Sequence, residues 1–231
     1  MSHRVAAIQT IIQNMEKRME GRTHTHPRAL LSEMKALSQS AQALNSMYSN
    51  PDPYQTPANN DKRVAQASAK LRQRVESGLD KLNDILRTGV IDLEDRIAAR
   101  TGLKPGAHDA EIRQVFRSVR PEDRLNFINN APEAADAATL SAILTAPHVL
   151  TGIDQDIQSR YLQHYQTKKA PEEVAEREML NETLNAAWTV RDTARKLSDE
   201  LLDPAKLREA EKQEELANQA KATFESSLSV A

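Results

Sequence analysis

Residues 61–88 read DKRVAQASAKLRQRVESGLDKLNDILRT, and their apolar spacing decides the fold class. Val64, Ser68, Leu71, Val75, Gly78, Leu82 and Ile85 follow one another at steps of three and four, with Leu79 and Leu86 widening the stripe. That is the period of a helix that buries one side. Asn60 or Asp61 is the expected N-cap and Gly89 the expected break, which places an amphipathic helix over 61–89.

The same period extends in both directions. Upstream, Val5, Ile8, Ile12, Met15 and Met19 form one stripe and Leu30, Met34, Leu37, Ala41, Leu44 and Met47 another, with Gly21 between them. The short connection predicts an antiparallel helical hairpin over 1–48. Pro51, Pro53 and Pro57 then exclude helix from 49–60, which is expected to be a spacer or an arm laid on a partner. Downstream, Ile91, Leu93 and Ile97 continue as a shorter helix over 90–100, ended by the turn residues Gly102, Pro105 and Gly106.

Shorter helices are expected at 109–119, 121–130, 132–145 and 153–167, followed by a long one from Pro171 to Leu202. Pro121, Pro132 and Pro171 are each followed by acids. Proline loses nothing at a first helical position, and acids suit the positive end of the helix dipole. Asp203-Pro204 restarts a last, charged helix over 204–231, with sparse apolar positions at Leu207, Leu216, Ala220, Phe224 and Leu228. The predicted fold is therefore all-α, an elongated multi-helix array or bundle with long helices at both ends and short helices in the middle. Residues 90–203 form its expected central core, built on Phe116, Phe127, Tyr161, Leu162, Tyr165 and Trp188.

Composition agrees with helix. Of 231 residues only six are Gly and eight are aromatic, and Cys is absent. A Gly-poor chain makes few tight turns. The lack of Cys removes disulfides, thiolate metal sites and Cys nucleophiles. No apolar run reaches the length of a membrane span, so no integral membrane association is expected. Glu16 and Glu20 in the first twenty residues speak against a secretory signal. Residues 1–120 carry 19 Lys or Arg against 13 Asp or Glu, net +6, and 121–231 carry 12 against 20, net −8. Such asymmetry suits head-to-tail contacts between subunits or one polyanion-facing end.

Motifs for chemistry are few. His24 and His26 are the only histidine cluster, and two ligands do not make a metal site. The acids Asp92, Glu94 and Asp95, Asp154 and Asp156, and Glu172, Glu173 and Glu176 fall at helix starts or on charged faces. There is no nucleophile elbow and no phosphate-binding glycine loop. No enzyme and no cofactor is expected. Lys62, Arg63, Lys70, Arg72 and Arg74 are candidate phosphate contacts, and Arg113, Arg117 and Arg120 form a second basic row. Rows of this kind would bind nucleic acid without reading its sequence.

The stretch Ala138-Thr139-Leu140-Ser141-Ala142-Ile143-Leu144-Thr145-Ala146-Pro147-His148-Val149-Leu150-Thr151-Gly152-Ile153 resembles helical virion and assembly proteins of tailed bacteriophages and prophages. The resemblance covers about 125–185. It implies a virion or assembly role, as an internal or ejected, scaffolding or head–tail protein, in a virion or in a bacterial cytoplasm. It carries over no functional residue.

The expected function is thus a non-enzymatic structural or interaction protein whose partners are protein subunits, as a homo-oligomer or multi-copy assembly. Its self-association seams are Leu71, Val75, Leu82 and Ile85; Leu184, Trp188 and Leu197; and Leu216 and Phe224. The alternative is a nucleic-acid-associated protein using Lys62 to Arg74.

Overall fold

The computed structural model describes residues 2–134, 137–201 and 204–228. Ten helices and no strand occur among them, so the protein is all-α. The chain divides into two compact units, one of residues 1–86 with 181–231, the other of residues 87–180.

The first unit is built on a bundle. Helix α1 (His3–Arg18) is capped by Ser2, whose hydroxyl accepts from the Arg4 amide, and buries Val5, Ile8, Ile12 and Met15. Helix α2 (Thr25–Ser49) buries Leu30, Leu31, Met34, Ala41 and Leu44. The two pack as the expected hairpin, with Lys35 on Glu16 at 2.6 Å and the Ser2 amide donating to Asn45.

Helix α3 (Pro57–Thr101) contributes residues 57–86 to this unit, and helix α9 (Pro171–Leu201) contributes 181–201. Ion pairs and hydrogen bonds give their directions. Arg4 meets Glu200 while Arg18 meets Glu182, so α1 and α9 run antiparallel. Lys81 meets Glu33 and Arg74 donates to Ser40, so α2 and α3 do too. Arg72 meets Asp199, and Arg191 donates to the Val75 carbonyl, which sets α9 against α3. Each helix thus borders two antiparallel neighbours, as in an up-down-up-down four-helix bundle. Its interior holds Ile8, Leu30, Leu44, Val75 and Leu197, all nearly fully buried. Each such side chain contributes about 1.5–3 kcal/mol by leaving water, whereas the surface ion pairs contribute ~1 kcal/mol at most.

The second unit holds residues 87–101 of α3, then α4 (Asp109–Ser118), α5 (Pro121–Ala134), α6 (Ala137–Leu144), α7 (His148–Thr151), α8 (Gln155–Lys169) and residues 171–180 of α9. Helix α6 lies at its centre. Five successive residues, Leu140 to Leu144, are buried, as in a helix surrounded by others. Around it pack Leu103, Phe116, Ile128, Ile153 and Tyr165, with Tyr161 and Leu162 partly buried. Helix α10 (Pro204–Leu228) belongs to the first unit.

Several boundaries differ from the sequence expectation. Helix α3 does not break at Gly89; a single glycine costs about 1 kcal/mol in a helix, and the buried Leu93 and Ile97 keep the helix in phase. Its start is Pro57, not 61. Thr56 is the cap, accepting from the Asn59 amide at 3.2 Å, and proline then occupies the first helical turn. The spacer is therefore an ordered loop ending at Thr56. The Asn60 side chain clamps it, accepting from the Asp52 amide and donating to the Asp52 carbonyl, both at 3.0 Å.

Helix α5 runs through Pro132 instead of ending at 130. The core expected over 90–203 stops at Leu180, because the later part of α9 packs with the N-terminal helices. Trp188 accordingly lies in the other unit, and Phe127 is 40% exposed, its ring set edge-on against Phe116. Leu202 and Asp203 lie outside the described residues, as do the side chains of Leu79 and Leu228.

Candidate functional site

The residues expected to meet partners fall into three groups. Leu71, Val75, Leu82 and Leu197 are buried inside the chain's own bundle, so these seams are covered mostly from within. Ile85, Leu184 and Trp188 are half-buried. Leu216 and Phe224 stand on α10 with 56% and 63% of their surface exposed.

Helix α10 is the least covered element. Apart from the half-buried Leu207, the residues whose burial is described are exposed. An ion pair from Lys62 of α3 to Glu214 fixes it. Within α10, Lys221 faces Glu225 and two glutamines bond the acids four residues before them. Its low apolar content makes it a poor candidate for independent stability, because helices draw most of their stability from packing.

Most of the candidate phosphate contacts are engaged within the chain. Lys62 is engaged by Glu214, Arg63 by Asp52 at 3.3 Å, and Arg72 by both Glu76 and Asp199. Arg74 donates to Ser40 at 3.0 Å. Three of the five are thus in ion pairs, and the helix period puts Arg63, Lys70 and Arg74 on one side of α3 with Lys62 and Arg72 turned away from it. The second basic row is also partly committed. Arg113 bonds the Ala142 carbonyl and faces Asp109, and Arg120 faces Asp123.

Beside Arg74 the bundle has a hollow of about 30 Å³ between α2, α3 and α9. Its floor is Met34, Val75, Leu82 and Val190, and Gly78 opens one wall. Glu33, Arg74 and Arg191 form its rim. Arg191 lies 5.3 Å from the centre of the Trp188 ring, a cation–π contact, while its Nε donates to the Val75 carbonyl at 3.1 Å. Sequence periodicity placed Val75, Gly78 and Leu82 on one seam but did not signal the hollow, because the other walls come from distant helices.

The acids read as helix-start charges have more specific roles. Asp154 caps α8, accepting from the amides of Asp156 and Ile157. Glu173 and Glu176 are buried on α9, where Arg100 meets Glu173 at 3.1 Å and Arg96 meets Glu176 at 2.8 Å. Arg177 returns the pattern to Glu94 at 3.0 Å. The signal was present as arginines four apart on α3 facing glutamates three apart on α9. Gln158 was missed altogether; its amide donates to the carbonyls of Ile143 and Ala146, both at 2.7 Å, which closes the end of α6.

Burial raises the Tyr165 hydroxyl above its ordinary value, and that hydroxyl donates to the Thr101 carbonyl at 3.2 Å. His24 stands at the N-cap of α2 and His26 in its first turn. Among the described residues no group of three or more histidines and acids is placed to hold a metal ion, and no helix is long and apolar enough to cross a membrane. Comparisons with protein-family models, curated proteins and solved structures return no match.

Proposed function

We propose that the protein is a non-enzymatic structural or interaction protein of a multi-subunit assembly, and that the assembly is a bacteriophage virion in which it is an internal or ejected, scaffolding or head–tail component. The observation that carries the reading is α10, a 25-residue helix that leaves Leu216 and Phe224 exposed and is tied to α3 by the Lys62–Glu214 ion pair. A helix with so little cover is best suited to being completed by a neighbour. The resemblance of 138–153 to phage virion proteins supports the finer reading. Ion pairs already made by Lys62, Arg63 and Arg72 weigh against the nucleic-acid alternative.

Sedimentation of the full chain tests the assembly reading. Leu216→Glu places a charge in the exposed stripe without touching the bundle core. It is expected to weaken association by about tenfold in concentration, equivalent to about 1.4 kcal/mol. An unchanged sedimentation profile of an associating wild-type chain would remove α10 from the interface. Capsid, portal or terminase genes beside the coding sequence would support the virion reading, and metabolic neighbours would overturn it.

A further inference from the structure

Gly78 occupies a seam position of α3 between Val75 and Leu82, where the helix period calls for a large apolar side chain. Glycine is also the poorest helix former after proline. Among the described residues nothing demands it there, since a Cβ at that position would meet no atom within 4 Å. The missing side chain instead opens the wall of the hollow between α2, α3 and α9. A volume of about 30 Å³ takes the end of an aliphatic side chain, whereas small-molecule pockets run to about 300–1,000 Å³.

We infer that this hollow is a socket for α10 of a second copy of the chain, with Leu216 entering beside Gly78 and Glu209 and Glu215 facing Arg74 and Arg191. The inference rests on the interaction-protein reading and gives it a partner and a place. Three observations select the occupant.

The first is charge. Arg74 bonds a serine hydroxyl, and Arg191 a backbone carbonyl and the Trp188 ring; among the described residues neither is in an ion pair. The third rim charge, Glu33, faces Lys81 at 3.5 Å. The rim thus offers two guanidinium groups that no described carboxylate bonds directly, although Asp192 lies in the field of Arg191. Residues 209–215 of α10 carry Glu209, Glu211, Glu214 and Glu215 against Lys212.

The second is shape. Leu216 is exposed and is followed by Ala217 and Ala220, which let one helix backbone approach another closely. A large side chain set in a hole between neighbouring side chains is the packing unit of helical interfaces.

The third is reach. Glu214, two residues before Leu216, is held by Lys62. Lys62 and Gly78 lie sixteen residues apart on α3, ~24 Å along the helix. A chain that keeps this ion pair cannot place its own Leu216 in its own hollow, so the side chain comes from another copy.

The chain has no cysteine, so engineered thiols report contacts cleanly. Gly78→Cys chains are mixed with Leu216→Cys chains under mild oxidation. Val115→Cys, on the exposed face of α4, serves as the collisional control. A mixed dimer joining positions 78 and 216, well in excess of the control pair, is expected. In a second arm the full Gly78→Leu chain should keep its helix content and melting temperature while its mass in light scattering falls to 25.8 kDa, one chain. Cross-linking no greater than the control, or a Gly78→Leu chain that associates like wild type, overturns the socket. If wild type still exceeds one chain in mass, the interaction reading survives that result. A wild-type mass of one chain at every concentration overturns both.

Discussion

Two serines mark places where the core is imperfectly satisfied. Ser68 on α3 and Ser141 on α6 are buried, and among the described residues their hydroxyls have no hydrogen-bond partner. An unpaired buried hydroxyl costs about 1–3 kcal/mol by the scale of protein substitutions. Ser68→Ala should therefore leave stability unchanged or raise it by about 1 kcal/mol in denaturant melts. A loss of that size would show that the hydroxyl has a partner.

The sequence placed Ser68 on the buried seam correctly, since spacing alone reports burial. It did not place the caps. Thr56 won over Asn60 because Pro57 is preorganised for the first helical turn and leaves no amide unsatisfied. Asn60 instead bonds backwards to Asp52, a contact eight residues away that no local propensity describes. Gly102 is a case where the local signal sufficed. Its backbone φ of +71° ends α3 at the expected place, and a side chain there would crowd Ala137 at 3.0 Å.

Between elements, charge specifies direction and the core supplies most of the stability. In the second unit Arg96 and Glu176 make the more telling pair, because their exposures are unequal. The side chain of Glu176 is 9% exposed and that of Arg96 41%. Removing the guanidinium takes a charged partner from a buried carboxylate, whereas removing the carboxylate leaves an arginine that water can reach. Arg96→Met should cost about 1–3 kcal/mol and Glu176→Leu clearly less. Equal losses in thermal melts would contradict the asymmetry.

In the first unit the clasp between α1 and α9 titrates. Hydrogen bonding and charge from Arg4 hold the Glu200 carboxyl below its ordinary value of 4.5. A carboxyl lowered in the folded chain contributes its stability above the unfolded value and loses it as pH falls through the folded one. The melting temperature should therefore fall as pH drops below 4.5, and Arg4→Met should flatten part of that dependence. The effect should shrink in salt, because the pair is open to solvent. A wild-type pH profile identical to that of Arg4→Met would exclude the clasp.

At the scale of the whole molecule, helix positions were legible and partnerships were not. The period of three and four residues located α1, α2, the long seam of α3 and the length of α9. It reports which face is apolar, not which helix covers it. Leu71, Val75, Leu82 and Leu197 looked like surfaces awaiting another subunit because their cover comes from helices far away in sequence. Once those seams are covered mostly from within, the exposed apolar residues of the first unit include Leu216 and Phe224 of α10. The proposed assembly therefore depends on the last helix and on the one hollow of the bundle proposed to receive it.

Light scattering coupled to gel filtration, run on the full chain over a wide range of concentration, tests that claim most directly. A mass that rises above 25.8 kDa toward a multiple of it is expected. A single chain of 25.8 kDa at every concentration, with no partner recovered, would contradict it.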